Sequence, residues 1–287
     1  MRRLLICMLL ALTPLSGCKL EDLSTEQIGR IADSVQTIGK AARPMSDSEE
    51  YYVGRAVAAR LLATYPLYRN KALTQYVTLV GQTLALHSEV PATHGGYHFA
   101  LLDSSEINAF ACPGGTILIT RGMLASLKSE EELAAVLAHE ISHVIHRDGI
   151  AAIRSARWSE ALTIIGSQAA QELGSKETAR LVTVFEGSID DVVKTLVVNG
   201  YGREQELAAD RTALAILAAA GYDPQGLPGY LQRLEQSGRG AKGGIFSTHP
   251  GSDERLASVR SEMPPSSASS AARRSKRFAE AVRTLAR

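Results

Sequence analysis

A histidine, a glutamate and a second histidine stand close together in the segment AHEISHVIHRDG, residues 138–149. In a helix, His139 and His143 are one turn apart and share a face, so both imidazoles can reach one metal ion. Glu140 is turned by about 100° from His139, which places its carboxylate beside a metal-bound water rather than on the metal. This H-E-x-x-H spacing is typical of a helix that holds a catalytic zinc ion. The alternative is an ordinary polar helix face, but the preceding apolar run LAAVLA predicts a buried helix, where polar side chains need partners.

A catalytic zinc site needs a third protein ligand and leaves one position open for water. His146 shares the helix face but lies about 10 Å along the axis from His139, too far to bind the same ion. Glu206 and Asp210 are one turn apart in EQELAAD, on another predicted helix. Glu206 can bind zinc, while Asp210 can accept a hydrogen bond from a ligating histidine and fix its tautomer. Glu204 is the rival ligand, but it faces about 200° away from Glu206.

Strand and helix patterns surround these two segments. A period of two over YHFALL, INAFAC and TILIT predicts three short strands, with residues 113–115 (Pro-Gly-Gly) as the turn between the last two. Ser129 and Glu132 have the spacing of a helix cap ahead of the histidine segment, and Gly221 ends the helix that carries Glu206. We therefore predict an α+β fold that is predominantly helical, with a small antiparallel sheet beside the histidine-bearing helix.

The first 17 residues have the features of a signal peptide: two arginines, a short apolar run and a Leu-Ser-Gly sequence ahead of Cys18. The apolar run is too short to span a bilayer as a stop-transfer helix. The junction resembles a lipobox, in which cleavage precedes a lipid-modified cysteine; a plain secretory signal cut near the same small residues is the alternative. By resemblance to the lipoprotein sorting rule, Lys19 after the cysteine indicates the outer membrane.

Composition narrows the classes of function. Removing residues 1–17 takes two arginines from the 31 basic residues, which leaves 29 against 30 acidic residues and a net charge of −1. This balance gives no indication of nucleic-acid binding. With Cys18 lipidated, Cys112 is the only free thiol, so we expect no intramolecular disulfide.

Four segments together resemble the gluzincin peptidases of the HtpX and CAAX prenyl protease family: LAAVLAHEISHVIHRD, GYGREQELAAD, INAFACPGGTILITRGML and FSTHPGSDERLASV. The first two are similar to the family's H-E-x-x-H and E-x-x-x-D signature, the third to its strand and turn ahead of the active-site helix, and the fourth to its His-Pro segment and following arginine. The resemblance covers about residues 48–262 and is closest to the lipoprotein and periplasmic types, because the sequence contains no run long enough for a membrane span. The family often has histidine where this chain has Asp148 and an aliphatic residue where it has Cys112. We expect neither residue to contact the ligand set.

The resemblance implies a gluzincin metallopeptidase domain with one Zn²⁺ per chain, held by His139, His143 and Glu206, with Asp210 behind a histidine. Glu140 is then the catalytic residue: it takes a proton from the zinc-activated water that attacks the scissile carbonyl, and delivers it to the leaving amine.

Two further segments receive a role from the resemblance. Asn108, Ala109 and Phe110 correspond to the family's edge strand, which pairs with the substrate backbone; the alternative is a core strand. His249 is either a turn residue before Pro250 or a cleft residue, which stabilises the oxyanion or occupies the open zinc position at rest. The resemblance favours the cleft.

Three other features of the sequence give no indication of a further function. The sequence from Gly238 to Gly243 matches G-x-G-x-x-G but follows a predicted helix instead of a strand, so we expect no nucleotide binding. Cys112 reads as a small apolar residue. The basic C-terminal helix is typical of a solvated tail.

The predicted organisation is a lipoprotein signal peptide (1–17), a tether with an amphipathic helix (18–47), a zinc metallopeptidase domain (48–262), and a linker with a basic C-terminal helix (263–287). The predicted function is a zinc-dependent endopeptidase, lipid-anchored to the bacterial outer membrane and facing the periplasm, whose substrates are unfolded or misassembled envelope proteins. One rival is a chaperone or assembly factor that binds extended segments with little cleavage. Another is a structural zinc domain, which is usually closed by four protein ligands, so that His249 would have to be the fourth.

Overall fold

A computed structural model describes residues 44–153, 175–238, 244–249, 252–265 and 271–286. The predicted signal peptide, the predicted lipidation site Cys18, the predicted amphipathic helix at 24–40 and residues 239–243 of the glycine-rich segment lie outside the described residues. None of the helices described is both long enough and apolar enough to cross a membrane.

Helices dominate the described chain, as predicted. They are α1 Asp47–Thr64, α2 Lys71–Leu86, α3 Arg121–Ser126, α4 Glu130–His146, α5 Asp148–Ala151, α6 Ser175–Lys194, α7 Arg203–Ala219, α8 Gly226–Gly238, α9 Ile245–Thr248, α10 Ser252–Ser261 and α11 Ala271–Val282. A π-helical turn at Thr195–Asn199 follows α6, and a short 3₁₀ helix at Arg283–Ala286 follows α11.

The three predicted strands form one sheet in the order β1-β3-β2, with β1 at His98–Leu102, β2 at Ala109–Cys112 and β3 at Thr116–Thr120. β2 and β3 are antiparallel, but β1 and β3 are parallel, so the prediction of an antiparallel sheet was wrong for this pair. The physical reason is the tight turn at Pro113–Gly115, which folds β3 back between the two earlier strands. Gly114 has φ 74° and Gly115 has φ 105° in this turn, a left-handed backbone that favours glycine.

Helix α4 is buried along almost its whole length, from Glu130 to Val144. Ser129 caps it by accepting a hydrogen bond from the backbone N–H of Glu132, as predicted. It ends at Arg147, a non-glycine residue with φ 58°. The Arg147 side chain is held by the Glu50 carboxylate at 2.7 Å and donates to the backbone carbonyl of Met45 at 2.7 Å. These contacts stabilise a reversal of the chain that turns the next residue back toward α4.

Helix α7 packs antiparallel along α4. His143 near the end of α4 approaches Glu206 near the start of α7, and Glu130 at the start of α4 bonds to Tyr222 just beyond α7. Gly221, with φ 72°, follows the end of α7 as the sequence predicts.

Helix α11 is packed on the domain, which corrects the expectation of a solvated tail. Phe278 is buried in the same core cluster as the apolar side chains of α2, α4, α7 and α8. Arg274 and Arg277 donate to Glu131 and Glu130 in the first turn of α4. These arginines bind acidic partners from another element, a pairing that local charge pattern alone does not indicate.

Candidate metal centre and active site

The two histidines of α4 face one another as their spacing predicts. Their Nε2 atoms are 3.1 Å apart, and the two rings are nearly perpendicular, with an interplanar angle of 89°. Both side chains are buried. Two imidazole nitrogens are therefore directed at one point in the interior.

Helix α7 brings a carboxylate to the same point. Glu206 is fully buried; its Oε2 lies 3.4 Å from His139 Nε2, and its Oε1 lies 3.5 Å from His143 Nε2. Glu204 is exposed. The structure thus brings Glu206 to the histidines and leaves Glu204 in solvent, as the helical angle predicts.

His249, at the end of α9, is the fourth group of the cluster. Its Nδ1 lies 2.9 Å from Glu206 Oε1 and 3.3 Å from His139 Nε2. One ligand atom from each of the four residues lies within 4.8 Å of the others, and all four residues are buried. His249 therefore lies in the site and is not a solvent-exposed turn residue.

The other ring nitrogen of each α4 histidine is bonded to an aspartate. His139 Nδ1 lies 2.9 Å from Asp210, and His143 Nδ1 lies 2.8 Å from Asp148. Each Nδ1–H can donate to its carboxylate, which leaves the Nε2 lone pair directed at the centre, the tautomer a metal needs. The expectation that Asp148 stays clear of the ligand set was wrong, because the left-handed Arg147 returns Asp148 to α4.

Charge explains why this cluster suits a cation. Burial and the Arg255 charge lower the pKa of His139, but hydrogen bonds to Asp210 and Glu206 outweigh them and raise it to about 9. Burial raises the pKa of Glu206, but the His249 and Arg255 charges hold it well below its usual range. The carboxylates therefore attract positive charge to the histidines, and converging imidazole and carboxylate ligands fit a zinc ion.

Arg255 is a residue of the site to which sequence reasoning gave no role. It is buried, and its Nε and Nη2 donate to the two oxygens of Asp210, each at 2.7 Å, while its Nη1 lies 2.7 Å from Glu206 Oε2. Burial raises the pKa of Asp210, but Arg255 and the bond from His139 lower it to about 2. The available signal was the arginine after the His-Pro segment in the family resemblance.

Tyr201 and Gln205 are two more residues of the site that the sequence did not indicate. The Tyr201 ring stacks on His143, with centroids 4.0 Å apart at 23°, and its backbone N–H donates to the carbonyl of Thr248, next to His249. Gln205 donates to the second oxygen of Asp148 at 2.8 Å. Both residues are close in sequence to the E-x-x-x-D segment. The sequence does not show that their side chains point toward His143 and Asp148, and the structure does.

Glu140 lies beside the cluster and not within it. Its Oε1 is 3.7 Å from His249 Nε2, and its buried Oε2 has no hydrogen-bond partner among the described residues. A cavity of about 20 Å³ adjoins Glu140 and His249 and is bounded by α8 side chains such as Tyr230, room for about one water. A buried carboxylate with one unsatisfied oxygen beside such a space is suited to accept a proton from water.

Ala109 and Phe110 begin β2, which lies at one edge of the sheet, and Asn108 directly precedes it; all three residues are buried. Thr248 Oγ1 donates to Asn108 Oδ1 at 3.2 Å, and the Ile245 N–H donates to the Ile107 carbonyl. The segment 244–249 is therefore bonded to the chain at the start of β2.

His146 and Cys112 lie outside the cluster. His146 Nε2 is 3.0 Å from Thr212 Oγ1, and a quarter of its side chain is exposed. Cys112 is fully buried, and burial together with the charge of Glu140 raises its thiol pKa. It is a free thiol in the core, as predicted.

Comparison with known proteins places the chain in a family. Residues 71–263 match the model of Peptidase family M48. The beta-barrel assembly-enhancing protease of Escherichia coli strain K12 is 30% identical over 232 residues, which are 80% of this chain and 47% of that protein. Its counterpart in Yersinia pestis is 30% identical over 259 residues, 89% of this chain and 52% of that protein.

A shorter relative is the metalloprotease LoiP of E. coli, 26% identical over 160 residues, 56% of this chain and 60% of that protein. The chain spans about half the length of the two beta-barrel assembly-enhancing proteases. Zinc is the cofactor of the matched family, which agrees with the ligand types of the buried cluster. The chain belongs to Peptidase family M48, a family of zinc metallopeptidases.

Proposed function

We propose that this protein is a zinc-dependent endopeptidase in which His139, His143 and Glu206 hold the metal and Glu140 is the catalytic acid and base. The observation that carries the proposal is the arrangement of three candidate ligands from two packed helices beside the buried Glu140 carboxylate, one oxygen of which has no hydrogen-bond partner among the described residues. When bound there, zinc polarises the substrate carbonyl and makes a water molecule acidic enough to be a nucleophile near neutral pH.

Glu140 then moves the proton. Its carboxylate accepts a proton from the attacking water as the new C–O bond forms. It delivers the same proton to the amide nitrogen as the C–N bond breaks, which gives a carboxylic acid and an amine, and the acid then loses its remaining proton to the amine or to solvent. Asp210 and Asp148 hold the rings of His139 and His143 in the tautomer that leaves Nε2 free.

His249 acts as a resting-state brake in this proposal. Its Nδ1 lies among the ligand atoms, where a substrate carbonyl or water would have to lie. The cavity of about 20 Å³ beside it cannot accept a peptide. The segment 244–249 must therefore move before a substrate reaches Glu140. This geometry favours the resting-ligand role over oxyanion stabilisation, because an oxyanion donor would leave that position free.

The substrates we propose are unfolded or misassembled envelope proteins. Movement of the segment 244–249 would release Asn108 from Thr248 and open Asn108 and the first residues of β2, Ala109 and Phe110, to an extended chain. Only extended segments can pair with a strand edge in this way. The name of the E. coli relative describes a protease that enhances β-barrel assembly, which supports an envelope substrate.

We also propose that the mature chain begins at a lipidated Cys18 and is held at the outer membrane, facing the periplasm. Several acyl chains on one cysteine anchor a protein firmly, whereas one chain binds marginally. Cys18→Ser should leave the precursor unprocessed or release the protein into the periplasm. Fully processed Cys18→Ser protein that still fractionates with the outer membrane would contradict the anchor.

Metal removal tests the enzymatic proposal. A chelator should abolish cleavage of an unfolded protein such as reduced casein, one equivalent of zinc should restore it, and the metal-free protein should melt at a lower temperature, since zinc binds the folded state. Cleavage that continues after metal analysis shows no zinc would refute the mechanism.

A further inference from the structure

A second buried charge cluster lies at the far end of the two site helices. Glu130, the first residue of α4, is fully buried. Its carboxylate accepts from the hydroxyl of Tyr76 at 2.8 Å, from the hydroxyl of Tyr222 at 3.1 Å and from Arg277 Nε at 2.7 Å, and a second nitrogen of Arg277 contacts its other oxygen. The Glu130 carboxylate is thus surrounded by donors from three other parts of the chain.

This cluster bonds the same two helices that carry the metal ligands. Glu130 begins α4, and Tyr222 comes shortly after α7 ends at Ala219. The helices are antiparallel, so His143 and Glu206 meet toward their other ends. Glu130 therefore fixes how α4 lies along α7, a relation on which the ligand separations depend.

The positive charge at this end comes from α11. Arg277 is half exposed, and one turn earlier Arg274 donates to Glu131 at 2.7 Å and lies 4.8 Å over the Tyr222 ring. Burial and the Glu130 charge raise the pKa values of Tyr76 and Tyr222, so their hydroxyls stay protonated as donors. Helix α11 lies beyond the residues that match the family model.

We propose that Arg277 is a positioning residue for the active site: it supplies the counter-charge for buried Glu130 and through it holds α4 in register with the end of α7. A buried carboxylate that loses its cation is strongly destabilising. Helix α4 would then shift to hydrate Glu130, and a displacement of about 1 Å at reacting groups can lower a rate by about 100-fold. The inference rests on the proposed peptidase activity for its kinetic readout.

The test compares Arg277→Met with Arg273→Met, an exposed arginine of the same helix, and with Glu130→Gln/Arg277→Met. Arg277→Met should lower kcat about 10-fold or more, leave KM within about twofold, and lower the melting temperature. The double variant should recover most of the kcat, because a neutral glutamine needs no counter-charge and its amide oxygen still accepts from a tyrosine hydroxyl. Arg273→Met should match the wild type.

Equal kcat for Arg277→Met and Arg273→Met, or a double variant no faster than Arg277→Met, would overturn the inference. If Arg277→Met proves insoluble, Glu130→Gln and the double variant carry the test: equal kcat supports the inference, and a slower double variant contradicts it. Melting temperatures measure the coupling of Arg277 to Glu130 without reference to activity. A wild-type protein that never cleaves would refute the proposed function, and the melting temperatures would then still test the coupling of Arg277 to Glu130 on which the inference depends.

Discussion

His139 and His143 each bond one ring nitrogen to an aspartate and direct the other toward Glu206. The two aspartates differ in origin. Asp210 is one helical turn from Glu206, a spacing visible in the sequence, whereas Asp148 reaches His143 only because Arg147 adopts a left-handed backbone. Helical periodicity in α4 and α7 therefore accounts for the positions of the histidines, Glu206 and Asp210. It does not account for Asp148, which lies where the chain reverses.

The ligand assignment predicts different fates for two glutamates of one helix. Glu206→Ala should lose bound zinc, because it removes the third protein ligand. Glu204→Ala should retain it, because that side chain is exposed. Metal analysis of the two purified variants measures the difference, and zinc retained at wild-type level in Glu206→Ala would contradict the assignment.

The brake proposed for His249 predicts a gain of activity. His249→Ala should cleave an unfolded protein several-fold faster than the wild type with the same zinc content, because the variant leaves its position in the cluster to water or substrate. Initial rates measured beside metal content test this. A fall of about 10²–10³ with zinc retained would instead assign His249 to the oxyanion.

At the scale of elements, α4 is fixed at both ends by contacts that link it to the rest of the domain. Glu50 of α1 illustrates this: its Oε1 accepts from the Gly114 N–H at 3.1 Å, and its Oε2 pairs with Arg147 at the end of α4. One buried carboxylate therefore joins α1, the turn before β3 and the last turn of the site helix.

The sequence predicts correctly those features that depend on the periodicity of a single helix or strand. The strands, the cap at Ser129 and the placement of Glu206 rather than Glu204 beside the histidines are of this kind. It failed for contacts between elements distant in sequence: the hairpin signal pairs β2 with β3 but says nothing of β1, and the arginines of α11 have the composition of a solvated helix until Glu130 and Glu131 are placed beside them. The signal peptide, lipidation site and domain boundaries stay predictions.

The turn before β3 offers a test at this scale. Gly114→Ala should destabilise the fold by about 1–2 kcal/mol from its left-handed backbone, and by more because a Cβ would lie 2.8 Å from the Tyr51 Cα. Gly221→Ala is the matched control: its φ is 72°, but a Cβ there would meet nothing within 4 Å. At about 2–4 °C per kcal/mol for a domain of this size, thermal unfolding should separate the variants by several degrees. Equal melting temperatures for the two variants would contradict a close steric contact between α1 and this turn.

At the scale of the whole molecule, the site is closed and the elements that close it come late in the chain. Segment 244–249 brings His249 to the proposed metal ligands, α10 brings Arg255 to Glu206 and Asp210, and α11 supplies positive charge to the start of α4. Sequence patterns around the H-E-x-x-H helix predict the ligands, whereas the residues for which we propose regulatory and positioning roles, His249 and Arg277, lie in this C-terminal third. In the proposed function, a protein substrate reaches Glu140 only when segment 244–249 moves while α4 and α7 stay together.

The most direct test of the central claim is cleavage of reduced casein by wild-type protein and by Glu140→Gln at equal zinc content. Glutamine has nearly the same shape but cannot accept and return the proton, so the rate should fall by at least about 10²–10⁴ while one zinc stays bound. His146→Gln, which alters a histidine outside the cluster, should cleave at the wild-type rate. A Glu140→Gln variant that binds zinc and cleaves as fast as the wild type would contradict the account.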